Sequence, residues 1–141
     1  MKNWPITAWT LAAVTLVSLA GTAAFYRSRP YQEVQDLLRL DHAPASFKNG
    51  QCEYWGANDL LATCVFEIDP AEFPVLLSNW RFVRRSVNGS SHDFSGGPKL
   101  GAGFAAATEY SANPPEFRHG GLVSIVTDRE QSHVQLSYYE E

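Results

Sequence analysis

Between Lys2 and Arg27 the chain carries no charged residue, and no acidic residue precedes Glu33. A helix over this run has no charged face to turn toward water. It therefore does not fit the surface of a small soluble domain, and burying it on every side would need a larger protein around it. Cysteine is nearly missing, with Cys52 and Cys64 the two present. No second cysteine pair or nearby histidine cluster completes a zinc set. The histidines are His42, His92, His119 and His133. They stand apart, without HxH or HExxH spacing, so no metal motif is legible and no cofactor is expected. Internal repeats are absent.

The uncharged run from Ile6 to Tyr26 has 21 residues. At 1.5 Å per residue a helix of that length reaches roughly 30 Å, enough to cross the hydrocarbon core of a bilayer. Trp4 and Trp9 stand near one end, and Phe25 and Tyr26 at the other. Such rings favour the headgroup regions. The small residues from Ala20 to Ala24 also suit a cleavable secretory signal. The length and the aromatic ends favour a retained signal-anchor, with secretion after cleavage as the alternative. We therefore expect an anchor with its flanks over residues 1–29 and a single globular domain over 30–141, one ordinary domain in size.

From Pro30 onward there are 8 basic and 15 acidic residues, a net of −7. That balance opposes nucleic acid and anionic lipid at long range. The expected partners are thus the membrane that holds the anchor and another protein or envelope component.

Two signals disagree about which side the domain faces. Lys2 precedes the apolar run, whereas Arg27, Arg29 and Arg39 follow it. Counted literally, the positive-inside rule leaves the domain in the cytoplasm. The cysteines point the other way. Both flanks of the stretch from Gln51 to Ile68 read as strands, with turn residues from Gly56 to Asp59. A hairpin centred on Asn58 places Cys52 opposite Cys64, within the Cα separation that a disulfide accepts. A disulfide implies an oxidising space. The domain is accordingly expected outside the cytoplasm, periplasmic or extracellular.

Along the domain, Tyr31, Val34, Leu37 and Leu38 recur at helical spacing. Asp69-Pro70-Ala71-Glu72 is a helix-start signature, and Phe73, Leu76, Leu77 and Trp80 form one apolar stripe behind it. Pro74 requires that helix to kink or to begin at Phe73. Arg81 to Val87 reads as a strand, and Phe104 to Tyr110 as a weak one. Gly121 to Thr127 and Ser132 to Tyr139 form a terminal hairpin, with Val134, Leu136 and Tyr138 buried and His133, Gln135, Ser137 and Tyr139 wet. The fold class expected is α+β: an N-terminal transmembrane helix, then a small antiparallel sheet of about five strands with one or two packed helices.

Asn88 to Gly103 is a Gly- and Ser-rich loop, of a length that is often functional or disordered. Its Ser95-to-Gly103 stretch lacks the GK[ST] ending of a phosphate loop, and Pro98 removes a donor. A mobile surface loop is the better reading. Phe94, Lys99 and Phe104 are candidate binding residues, the two rings offering apolar anchors beside flexible backbone. Arg81, Arg84 and Arg85 are the one basic cluster, expected to pair with nearby carboxylates or, alternatively, to meet an anion. Ser91-His92-Asp93 has the residue types of a hydrolase triad, but sequence neighbours cannot adopt that geometry. No catalytic residue is assigned. The leading expectation is a membrane-anchored, extracytoplasmic binding module. The alternatives are an envelope hydrolase drawing on His92, Asp93, His119 or His133, and a cytoplasm-facing accessory subunit.

Overall fold

Alternation of apolar and polar residues sets the strands, and in the computed structural model, which describes residues 29–56 and 59–141, they form one antiparallel sheet. The strands are β1 (Lys48–Trp55), β2 (Leu60–Glu67), β3 (Val83–Ser86), β4 (Thr108–Ala112), β5 (Gly121–Thr127) and β6 (His133–Glu140). Their order is β1-β2-β6-β5-β4-β3, so six strands replace the expected five or so. The terminal hairpin β5–β6 forms as the sequence predicts, and β6 lies at the centre against β2. The apolar run Ile6 to Tyr26 lies outside the described residues. Among those described, no helix is long and apolar enough to cross a membrane.

Cys52 and Cys64 are directly opposed in the β1–β2 hairpin with Cα atoms 4.1 Å apart, and they form the expected disulfide. A bridge closing so short a loop is worth about 2–3 kcal/mol. It is consistent with an oxidising, extracytoplasmic location.

The helix over residues 29–37, α1, presents Val34 and Leu37 to the core, and Leu38 joins them from the turn that follows. It ends where Arg39 takes a left-handed backbone, with φ 52°. The Leu40 N–H then bonds the Gln35 carbonyl at 2.9 Å, and the Arg39 N–H bonds that of Asp36 at 3.1 Å, which satisfies two end carbonyls. Asp69 caps a single 3-10 turn, Pro70–Glu72, by accepting from the Ala71 N–H at 2.9 Å. The α-helix proper, α2 (Phe73–Leu76), begins at Phe73, which resolves the conflict that Pro74 poses. The Glu72 carboxylate reaches across to the Ser46 N–H at 2.8 Å and ties this turn to the chain ahead of β1.

The apolar face of the sheet carries Cys64, Phe66, Val123, Ile125, Val134, Leu136 and Tyr138, packed against both helices. Phe73 stacks obliquely on Tyr110 at 5.2 Å and Phe117 meets Tyr138 edge-on at 5.3 Å. Burying each such side chain contributes roughly 1.5–3 kcal/mol.

The opposite face differs from the expectation of a wet surface. Gln135 and Thr63 are fully buried there, because the chain from Asn88 to Gly103 folds back across it. That segment is held in place. The Ser91 N–H bonds the Phe104 carbonyl at 2.8 Å, the Ser91 carbonyl accepts from Gln135 Nε2 at 2.9 Å, and His92 Nε2 sits 3.1 Å from the Leu100 carbonyl oxygen. A capping box at Ser90 and Asp93 sets the 3-10 turn Ser91–Phe94. Gly97 lies so close to Trp55 that a Cβ there would sit 1.8 Å from the indole. Gly103, at φ 73°, is backed by the His92 ring.

Candidate functional site

Strand register assembles the loop-covered face. Glu53, Thr63, Ser137 and Ser124 lie side by side across β1, β2, β6 and β5, forming a polar row near its middle. One step toward the sheet end, Trp55, Leu61, Tyr139 and Leu122 form a parallel apolar row. The loop crosses this face at Gln135, with a cleft on each side of it.

The first cleft, about 190 Å³, is walled by Trp55, Leu61, Leu122 and Tyr139 of the apolar row and roofed by Phe94 and Gly96. Its floor is polar, with Ser124, Ser137 and Glu109. Ser124 Oγ donates to Glu109 Oε1 at 3.0 Å, and Arg85 Nε donates to Glu109 Oε2 at 3.0 Å. The floor carboxylate is therefore already engaged. Nearby, burial and the negative charges of Glu141 and Asp59 push the Tyr139 hydroxyl above its ordinary range. Two buried polar atoms on this face, Thr63 Oγ1 and Gln135 Oε1, have no hydrogen-bond partner among the described residues.

The second cleft, about 220 Å³, lies beyond the loop against β1, β2 and β6, and includes Glu67, His133, Phe104 and the backbone from Leu100 to Gly103. Asn49 Nδ2 donates to Glu67 at 2.9 Å, and this bond, with Lys48 and His133 nearby, holds the Glu67 carboxyl below its ordinary range. His133 Nδ1 lies 2.8 Å from Asp128 Oδ2 and 3.1 Å from Ser132 Oγ. Partial burial raises the Asp128 carboxyl, but donation by the side chains and backbones of His133 and Ser132 outweighs it and leaves the group below its ordinary value.

This Ser-His-Asp cluster is not a catalytic triad. A triad places the serine on one imidazole nitrogen and the carboxylate on the other. Here both partners meet Nδ1, and Ser132 Oγ donates to Asp128 Oδ2 at 2.8 Å. The other candidates of the hydrolase reading scatter. His92 pins the loop, Asp93 is spent on the Ser90 N–H at 2.9 Å, and His119 is exposed on the turn after Phe117. The one metal-sized grouping of donors among the described residues is Glu33 with Cys52 and Cys64, whose sulfurs are already joined to each other.

The sequence-derived binding residues are only partly brought together. Phe94 roofs the first cleft, whereas Phe104 lines the second and lies 5.8 Å from the His133 ring. Lys99 is exposed on the loop and lines neither cleft. The arginine cluster divides, because Arg84 and Arg85 are neighbours on one strand and point to opposite faces. Arg85 pairs with Glu109, as expected for a surface cation, while Arg81 and Arg84 are exposed without an ion pair among the described residues. Sequence reading missed Trp55, Leu61, Leu122 and Tyr139. Each stands two residues along its strand from a member of the polar row, which identifies a shared face only when the register is known. No family model, curated protein or solved structure matches the chain.

Proposed function

We propose that this domain is a membrane-anchored binding module on the non-cytoplasmic side, and that the loop-covered face is its recognition surface. One observation carries the reading. The first cleft joins an apolar wall to a polar floor under a fixed roof, the usual composition of a recognition site. No nucleophile, base and orienting group stand in catalytic order among the described residues. The disulfide supports an oxidising compartment, and the uncharged run Ile6 to Tyr26 supports anchoring.

Two measurements test the proposal. Alkylating intact cells with a membrane-impermeant thiol reagent should label Cys52 and Cys64 only after a reductant is added. Labelling without reductant would refute an oxidised, exported domain. Crosslinking in native membranes should then capture a discrete protein or envelope component, and recovery of the chain alone would refute a binding role.

A further inference from the structure

We infer that the cleft beneath Phe94 takes the side chain of a lysine, presented by a basic partner protein. The inference rests on the binding-module reading and specifies its ligand.

Three features converge on this chemistry. The wall is apolar and aromatic, with Trp55, Leu61, Leu122 and Tyr139 in one cross-strand row. A four-carbon stem packs well on such a surface, and ring faces attract its cationic head. The floor offers oxygen atoms and no cationic head of its own. Ser124 and Ser137 line it with their hydroxyl oxygens. An ammonium carries three donors, which hydroxyl oxygens of this kind can accept.

The third feature is the state of Glu109. Its two oxygens are already held by Arg85 and Ser124. No free carboxylate fork remains to receive a guanidinium, so separate oxygen acceptors favour a compact ammonium over arginine. Charge agrees at both scales. Among the residues lining the cleft none is basic, the Arg85 guanidinium is neutralised by Glu109, Asp59 and Glu141 act on Tyr139 at the rim, and the domain from Pro30 carries a net of −7. That field draws a basic partner toward the face and disfavours an acidic one.

The test uses the full-length, isotope-labelled chain in detergent micelles and follows the Trp55 indole N–H resonance. The probe is acetyl-Leu-Lys-Leu-amide, and the control is the same peptide acetylated on the lysine Nε. The free-amine peptide should shift the Trp55 signal saturably, and acetylation should weaken binding by about tenfold or more. Leu122→Arg places a cation at the exposed mouth and should abolish the shift. No shift from the free-amine peptide, or equal binding of the acetylated form, would overturn the inference, and that comparison needs no variant to fold. The two proposals fail separately. A captured partner with a negative peptide titration refutes the lysine cleft alone, whereas a positive titration with no partner in membranes refutes the binding-module reading.

Discussion

The two faces of this sheet are built from alternate residues of the same strands, yet they are covered in different ways. On one face Leu136, Ile125 and Phe66 meet two helices through apolar contact. On the other, Gln135, Thr63 and Ser137 lie in a polar face that a glycine-rich loop crosses, fastened by directed hydrogen bonds such as that from Gln135 to the Ser91 carbonyl. Apolar contact is non-directional and fills space, so the helix-covered face packs closed. A loop fixed at Ser91, His92 and Gly97 spans its face without filling it, which leaves clefts and two unpartnered polar atoms. One face packs the core of the domain, and the other leaves an open surface, the one proposed for recognition.

Breaking the comparison should have unequal effects. Leu136→Ala, at a fully buried position of the central strand, should cost about 2–5 kcal/mol in chemical denaturation. Ser137→Ala, next along the same strand on the other face, should change stability by less than about 0.5 kcal/mol. Equal losses would deny the division of labour.

Gly97→Ala drives a methyl group into the Trp55 ring and should lift the loop at a cost of about 1–3 kcal/mol. Hydrogen exchange should accelerate at the amides of Ser91 and Ala106 while those of β6 keep their protection. Uniform acceleration over both faces would show that the loop belongs to the core.

Thr63→Val should stabilise the chain by about 1 kcal/mol, because it replaces an unpartnered buried hydroxyl with a methyl group of the same shape. A destabilised variant would mean that the hydroxyl has a partner.

The smallest effect concerns acid. The Asp128 carboxyl lies below its ordinary value in the folded chain, so the unfolded chain takes up the proton first as pH falls. Its contribution is present above about pH 4 and is lost as pH drops through the folded value. Asp128→Asn should therefore be less stable than the parent at pH 7, and the gap should close in acid-titration melts. A gap that widens in acid would contradict the sign.

Much of the architecture is legible in the residues. The equal spacing of Cys52 and Cys64 about position 58 gives the hairpin register and hence the disulfide, because pairing in an antiparallel hairpin is symmetric about its centre. Asp69 and Pro70 mark the helix start for reasons local to the chain. The cover on the second face is not local. Gln135 alternates like a solvent-facing residue, and only the return of Ser91 from 44 positions away buries it. The cleft is hidden for the same reason. Trp55, Leu61, Leu122 and Tyr139 become one row only when β6 inserts between β2 and β5, and no spacing along the chain announces that insertion. The arginine cluster errs in the opposite direction, since strand alternation alone would have parted Arg84 from Arg85.

Site-specific photo-crosslinking in native membranes tests the central claim most directly. A photoreactive residue at Leu122, exposed at the mouth of the first cleft, is compared with one at Gln32, exposed on α1 on the opposite face. The loop-covered face predicts a partner captured from Leu122 and not from Gln32. Capture from Gln32 with none from Leu122 would place recognition on the wrong side of the sheet and contradict the account.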